Sequence, residues 1–213
     1  MGRLPVIIAL LVLASWPASA LDAKVAAELE RIANGPATTA RGIAAQLQNM
    51  LFDAIEASCR EQEDTPPVQC EYSRLLGVLD HDGILRERCG SLEDDRALAT
   101  CIISGADSLP IVAALGGDPR RDIDWSNADD SYFRLREELK DAARTRCASS
   151  QKVNDRECIV VEQAALLDFP PAAGLGCAKQ PGKYDKQGCL DALLTVAIYL
   201  SAIGRLLDET EPL

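Results

Sequence analysis

Aromatic residues make up only 4% of the 213-residue chain, which carries one His and two Met. Stacking platforms for nucleic-acid bases and His-rich metal sites therefore have almost no material to be built from. Positive charge is scarce as well, with 22 Lys+Arg against 33 Asp+Glu and a net charge of -11. Such a surface repels phosphate backbones and anionic lipid, so the expected partner is another protein, a cationic one, and not nucleic acid. Cys-x-x-Cys, Cys-x-x-Cys-His, Gly-x-Ser-x-Gly, His-Glu-x-x-His and the phosphate-binding loop are all absent. Those absences remove the usual signatures of disulfide exchange, haem attachment, serine and zinc hydrolysis and nucleotide binding. What remains, 47% hydrophobic and 26% charged residues, is ordinary globular composition and excludes disorder and collagen.

The first twenty residues open with Arg3, run apolar over 4–16, and end in Pro17 and Ala18-Ser19-Ala20. This is the pattern of a secretory signal peptide, too short in its apolar part to span a bilayer. Removing it takes away one cation and leaves 21 Lys+Arg against 33 Asp+Glu, a net charge of -12. No Asn begins an Asn-x-Ser/Thr sequence, so the expected location is the bacterial periplasm or the medium. A second apolar stretch, 190–207, holds Asp191 and Arg205 with only 13 residues between them. It reads as a core helix, and no membrane span is expected after cleavage.

Eight cysteines stand at Cys59, Cys70, Cys89, Cys101, Cys147, Cys158, Cys177 and Cys189, with intervals of 11, 19 and 12 in each group of four and an offset of 88 between groups. The same offset pairs Leu47 with Leu135, Leu51 with Leu139, Asp53-Ala54 with Asp141-Ala142, Leu79-Asp80 with Leu167-Asp168 and Gly116 with Gly204. An all-α fold follows, as a tandem duplication of a disulfide-stapled three-helix unit. In the first unit Ile43, Leu47, Met50, Leu51, Ala54 and Ser58/Cys59 lie at helical spacing; in the second Tyr132, Leu135, Leu139, Ala142 and Ala143 do. Pro66-Pro67 or Asn154-Asp155 turns the chain into a second helix, which Asp80-His81-Asp82-Gly83 or Phe169-Pro170-Pro171 interrupts. A third helix follows Ser91 or Tyr184-Asp185, and Pro110 with Gly116-Gly117 is expected to break it in the first unit. The expected layout is a signal peptide over 1–20, an N-terminal helix and first unit over 21–115, a linker over 116–128 and a second unit over 129–213.

An exported chain with an even cysteine count is most simply a disulfide framework. Hairpin geometry favours neighbours (Cys59 with Cys70, Cys89 with Cys101, Cys147 with Cys158, Cys177 with Cys189), and a nested pairing within each group stays open. The stretch Leu85-Arg86-Glu87-Arg88-Cys89 followed by Cys101-Ile102 resembles small exported bacterial helical proteins with four cysteines, some of which inhibit lysozyme. The interval from Cys70 to Cys89 is shorter than in that family and its usual tryptophan is missing, so no residue roles are carried over.

Asp80-His81-Asp82-Gly83 holds the only His between carboxylates, a sequence that a Gly-terminated acidic turn explains as well as a base held by an acid. Glu93-Asp94-Asp95 and Asp122-Ile123-Asp124 lack the calcium-loop pattern, and Ser104 and Ser149-Ser150 have no base nearby in the sequence. No catalytic residue, metal ligand or cofactor is assigned. The expected function is an exported, acidic, non-enzymatic protein-binding or structural module, binding or inhibiting a cationic partner such as a cell-wall hydrolase. The alternatives are a thiol-exchange or carboxylate-based enzyme, which needs reactive thiols or essential acids, and an acid-responsive periplasmic chaperone, which needs a fold that opens as its carboxylates are protonated.

Overall fold

Apolar side chains three and four residues apart fold most of the chain into helices. The computed structural model describes residues 18–60, 66–80, 82–149 and 155–210, so most of the expected signal peptide and the lone His81 lie outside the described residues. In chain order the helices are α1 (Ala18–Ala33), α2 (Ala37–Arg60), α3 (Pro67–Leu79), α4 (Ile84–Cys89), α5 (Asp95–Ala114), α6 (Pro119–Asp122), α7 (Ala128–Ser149), α8 (Arg156–Leu166), α9 (Pro171–Ala178) and α10 (Lys183–Thr210). No strand occurs among the described residues. Local chemistry sets the starts: Asp94 accepts the Ala97 N–H at 2.7 Å to cap α5, Asp155 accepts the Glu157 N–H at 2.9 Å to cap α8, and α3 and α9 open on proline.

The helices are tied by four disulfides between neighbours, Cys59–Cys70, Cys89–Cys101, Cys147–Cys158 and Cys177–Cys189, with Cα separations of 5.7, 5.8, 6.0 and 5.4 Å. Packing between helices follows a different plan from the covalent one. The third helix of the second cysteine group, α10, lies along α2, the first helix of the first group; α5 lies in turn along α7. First and third helices of the same group have no comparable contact. The main core runs through both groups, from Leu29 and Ile32 on α1, through Leu47, Leu51 and Ile102, to Leu193 and Val196 on α10. By length and composition the helices over Asp95–Ala114 and Lys183–Leu206 would suffice to cross a bilayer, and in this fold their apolar faces build the core.

Three expectations need correction or refinement. Pro110 does not break α5, which continues to Ala114. A proline four residues from a helix end frees only one carbonyl, and the fully buried Ile111 and Val112 hold the last turn in place. The helix stops instead at Gly116, where φ is +70° and the N–H groups of Gly116 and Gly117 reach back to Ala113 and Val112 at 3.0 and 2.9 Å. On α2 the buried face runs through Ala40, Ala44 and Ile55, leaving Ala54 exposed. Lastly, residues 116–128 pack as well as connect, since Ile123 is buried and the half-buried Trp125 donates its indole N–H to Pro119 O at 3.1 Å. Those two side chains join Leu135, Leu139 and Leu194 in a second, smaller apolar cluster.

The N-terminal helix is held by close backbone approach. A Cβ placed on Gly176 of α9 would stand 2.7 Å from both the carbonyl carbon and oxygen of Ala33. Alongside, the buried Gln180 accepts the Ala37 N–H at 3.1 Å and donates to Gly35 O at 2.8 Å, fixing the turn between α1 and α2. Gly176→Ala is expected to cost about 1–3 kcal/mol, because main chain cannot move aside as a side chain can. The check is the urea midpoint, together with faster amide exchange confined first to residues 26–33.

Candidate functional site

All eight cysteines lie in disulfides, and seven are buried, Cys158 being half-buried. Asp80 accepts the N–H groups of Leu85 and Arg86, both at 2.9 Å, and so caps α4 across the bend at Gly83, where φ is +74°. Of the other sequence candidates, Asp94 caps α5, Asp122 accepts the Asp118 N–H at 2.7 Å, and Asp124 accepts from the Ser126 N–H at 3.1 Å and Oγ at 2.6 Å. Ser149 donates to Arg146 O at 2.6 Å, and Ser104 donates at 3.4 Å to Asp129; Ser150 is outside the described residues. The acids singled out in the sequence are thus scattered over helix ends. Among the described residues no three of His, Cys, Asp and Glu gather as metal ligands.

Ionisable groups do converge elsewhere, at the seam of α5, α7 and α10. Arg136 of α7 forms an ion pair with Asp191 of α10, whose other oxygen accepts from Gln187 Nε2 at 3.1 Å. The charge of Arg136 also reaches Asp107 of α5, without a direct ion pair between them among the described residues. Burial pushes the Asp107 carboxyl up to about 6 despite the pull of Arg136. Asp191 is raised for the same first reason, with Arg136 and Gln187 opposing. Two phenols complete the seam: Tyr132 and Tyr199 are both pushed up to about 12, chiefly by burial and further by the negative charge of Asp107. Gln48 Nε2 donates to Tyr199 Oη at 3.2 Å. Sequence inspection missed this cluster, although a signal existed, because Asp107 and Asp191 are single charges inside apolar runs.

Open recesses occur elsewhere among the described residues, two of them sizeable. One, of about 510 Å³, lies between the turn at 34–38 and residues 179–181, where Gln180 is already occupied by main chain. The other, of about 390 Å³, is lined by Arg121, Asp122, Arg134 and Glu138. Its charges satisfy one another, Arg121 with Asp122 at 2.9 Å and Arg134 with Glu138 at 2.6 Å.

Negative charge is distributed unevenly. Residues 21–115 carry 16 Asp+Glu against 8 Lys+Arg, whereas 129–213 carry 14 against 11. At one end of the first group the Tyr72 hydroxyl donates to Asp95 O at 2.9 Å, joining α3 to the start of α5. The Tyr72 phenol is raised first by burial and then by Asp95, Glu71 and Asp94. Val68 and Leu92 flank this acidic end at 45% and 37% exposure. It therefore offers carboxylates next to uncovered apolar side chains, the composition that a cationic protein surface complements. No known protein family matches the chain, and neither a curated protein nor a solved structure matches it.

Proposed function

We propose that the chain is an exported, non-enzymatic, protein-binding module with two copies of a disulfide-stapled unit, and that it binds a cationic protein such as a basic cell-wall hydrolase. The observation carrying this reading is the acidic end where Glu71, Asp94 and Asp95 act on Tyr72 and where Val68 and Leu92, close by in the sequence, are exposed. The four disulfides are compatible with a periplasmic or extracellular location, as is a signal peptide over residues 1–20. The repeated cysteine intervals support duplication. Opposite fields accelerate encounter, so the effect belongs in the association rate.

The test is association with a basic lysozyme-type hydrolase at about 0.01 and about 0.1 M salt, across which the Debye length falls from about 30 to about 10 Å. Association is expected to slow by tenfold or more, and Glu71→Gln/Glu93→Gln/Asp95→Asn to remove most of that dependence. A complex forming at the same rate at both salt concentrations, or none forming, would sink the proposal. The seam at Asp107 weighs against an acid-opened chaperone, because protonating that half-buried carboxylate favours the folded form.

A further inference from the structure

Beside the Arg136–Asp191 pair the structure forms a narrow chamber of about 10 Å³, lined by Leu139, Leu190 and Leu194 and by Arg136, Asp191 and Gln163. Gln163 of α8 is 1% exposed, and its Oε1 meets no hydrogen-bond donor among the described residues. A buried amide oxygen without a donor bears its whole desolvation penalty. Helix packing does not require an amide there: the residue 88 positions earlier, Leu75, is apolar and equally buried. The chamber has room for roughly one molecule the size of water. Its lining selects the charge of the occupant. Arg136 opposes a cation, while Asp191 and the Gln163 oxygen oppose an anion, leaving a small neutral molecule that both donates and accepts.

We propose that this chamber is a binding site for one permanently held water, which donates to Gln163 Oε1 and accepts from the Arg136 guanidinium. The water extends the ion pair between α7 and α10 to α8, so three helices of the second cysteine group share one polar junction. It also explains how a glutamine persists among leucines.

Magnetisation transfer from water to methyl groups tests the site on the whole disulfide-bonded chain. Long-lived water signals are expected at the methyls of Leu139, Leu190 and Leu194, and their loss is expected in Gln163→Leu. Gln163→Met serves in the same way should the leucine variant fail to fold. Absence of these signals in the wild-type protein would overturn the proposal by showing a dry chamber. Signals undiminished in a folded variant would overturn it equally, since Gln163 would then not hold the water.

Discussion

Asp107→Asn is expected to stabilise the protein at pH 7 by up to about 3 kcal/mol and to abolish most of the gain in stability that the wild-type protein shows on mild acidification. The argument is one of proton linkage. Asp107 titrates at about 6 when folded against 3.8 for the ordinary group, so the folded state holds that proton more tightly. Stability therefore rises as pH falls through about 6 toward 3.8, and above pH 6 the penalty is present in full. The difference of about two units corresponds to about 3 kcal/mol, an upper figure because Asp107 is only partly buried. Asparagine keeps the shape and cannot ionise. Asp191, also raised, acts in the same direction, whereas the half-buried Asp122 and the exposed Asp124 are held down and lose stabilising contacts only at lower pH. Urea midpoints at pH 4.5 and pH 7 decide the matter. Equal pH dependence in wild type and variant would show that Asp107 is not the responsible group.

Deleting disulfides one at a time should separate loop closure from packing. Cys177–Cys189 and Cys147–Cys158 span 12 and 11 residues, so the chain-entropy term is nearly the same for both, about 3 kcal/mol. Their surroundings differ. Cys177 and Cys189 are both fully buried against α9 and α10, while Cys158 is half-exposed. Cys177→Ala/Cys189→Ala is thus expected to lose about 4–5 kcal/mol, because apolar sulfur contacts vanish along with the constraint. Cys147→Ala/Cys158→Ala is expected to lose about 3 kcal/mol. The comparison is made by denaturant unfolding of the non-reduced proteins, and an equal loss in both would mean that burial contributes nothing.

Much of the helical plan was legible because it rests on short-range chemistry. The spacing of Leu47, Leu51 and Cys59 produces α2, and the bends at Gly83 and at Pro170-Pro171 lie where left-handed backbone or a missing N–H ends a helix. Local rules fell short where distant packing overrode them: Pro110 remained helical, and nothing local marked Ile123 and Trp125 within the expected linker as core side chains. The pairing of α2 with α10 leaves no local trace, since each helix shows only that it has an apolar face. The seam of Asp107, Arg136 and Asp191 was hidden for the same reason. Its members lie on three helices, 29 and 55 residues apart in sequence, and only the tertiary fold brings them together.

The crossed pairing of α2 with α10 and α5 with α7 also bears on how the chain reaches its folded form. A polypeptide that becomes available from its N-terminus presents α2 long before α10, some 120 residues later in the chain, so Leu47, Leu51 and Ile55 face solvent without their main partner. The disulfide loops are short and can close while the chain is still emerging. Covalent closure can thus run ahead of tertiary packing. Each group of four cysteines would be stapled early yet remain incomplete, and the last helix to arrive would close the core. Such long-range pairing slows folding and prolongs exposure of apolar surface. For this chain the vulnerable interval is the wait for residues 183–210, when a holding chaperone would have most to protect.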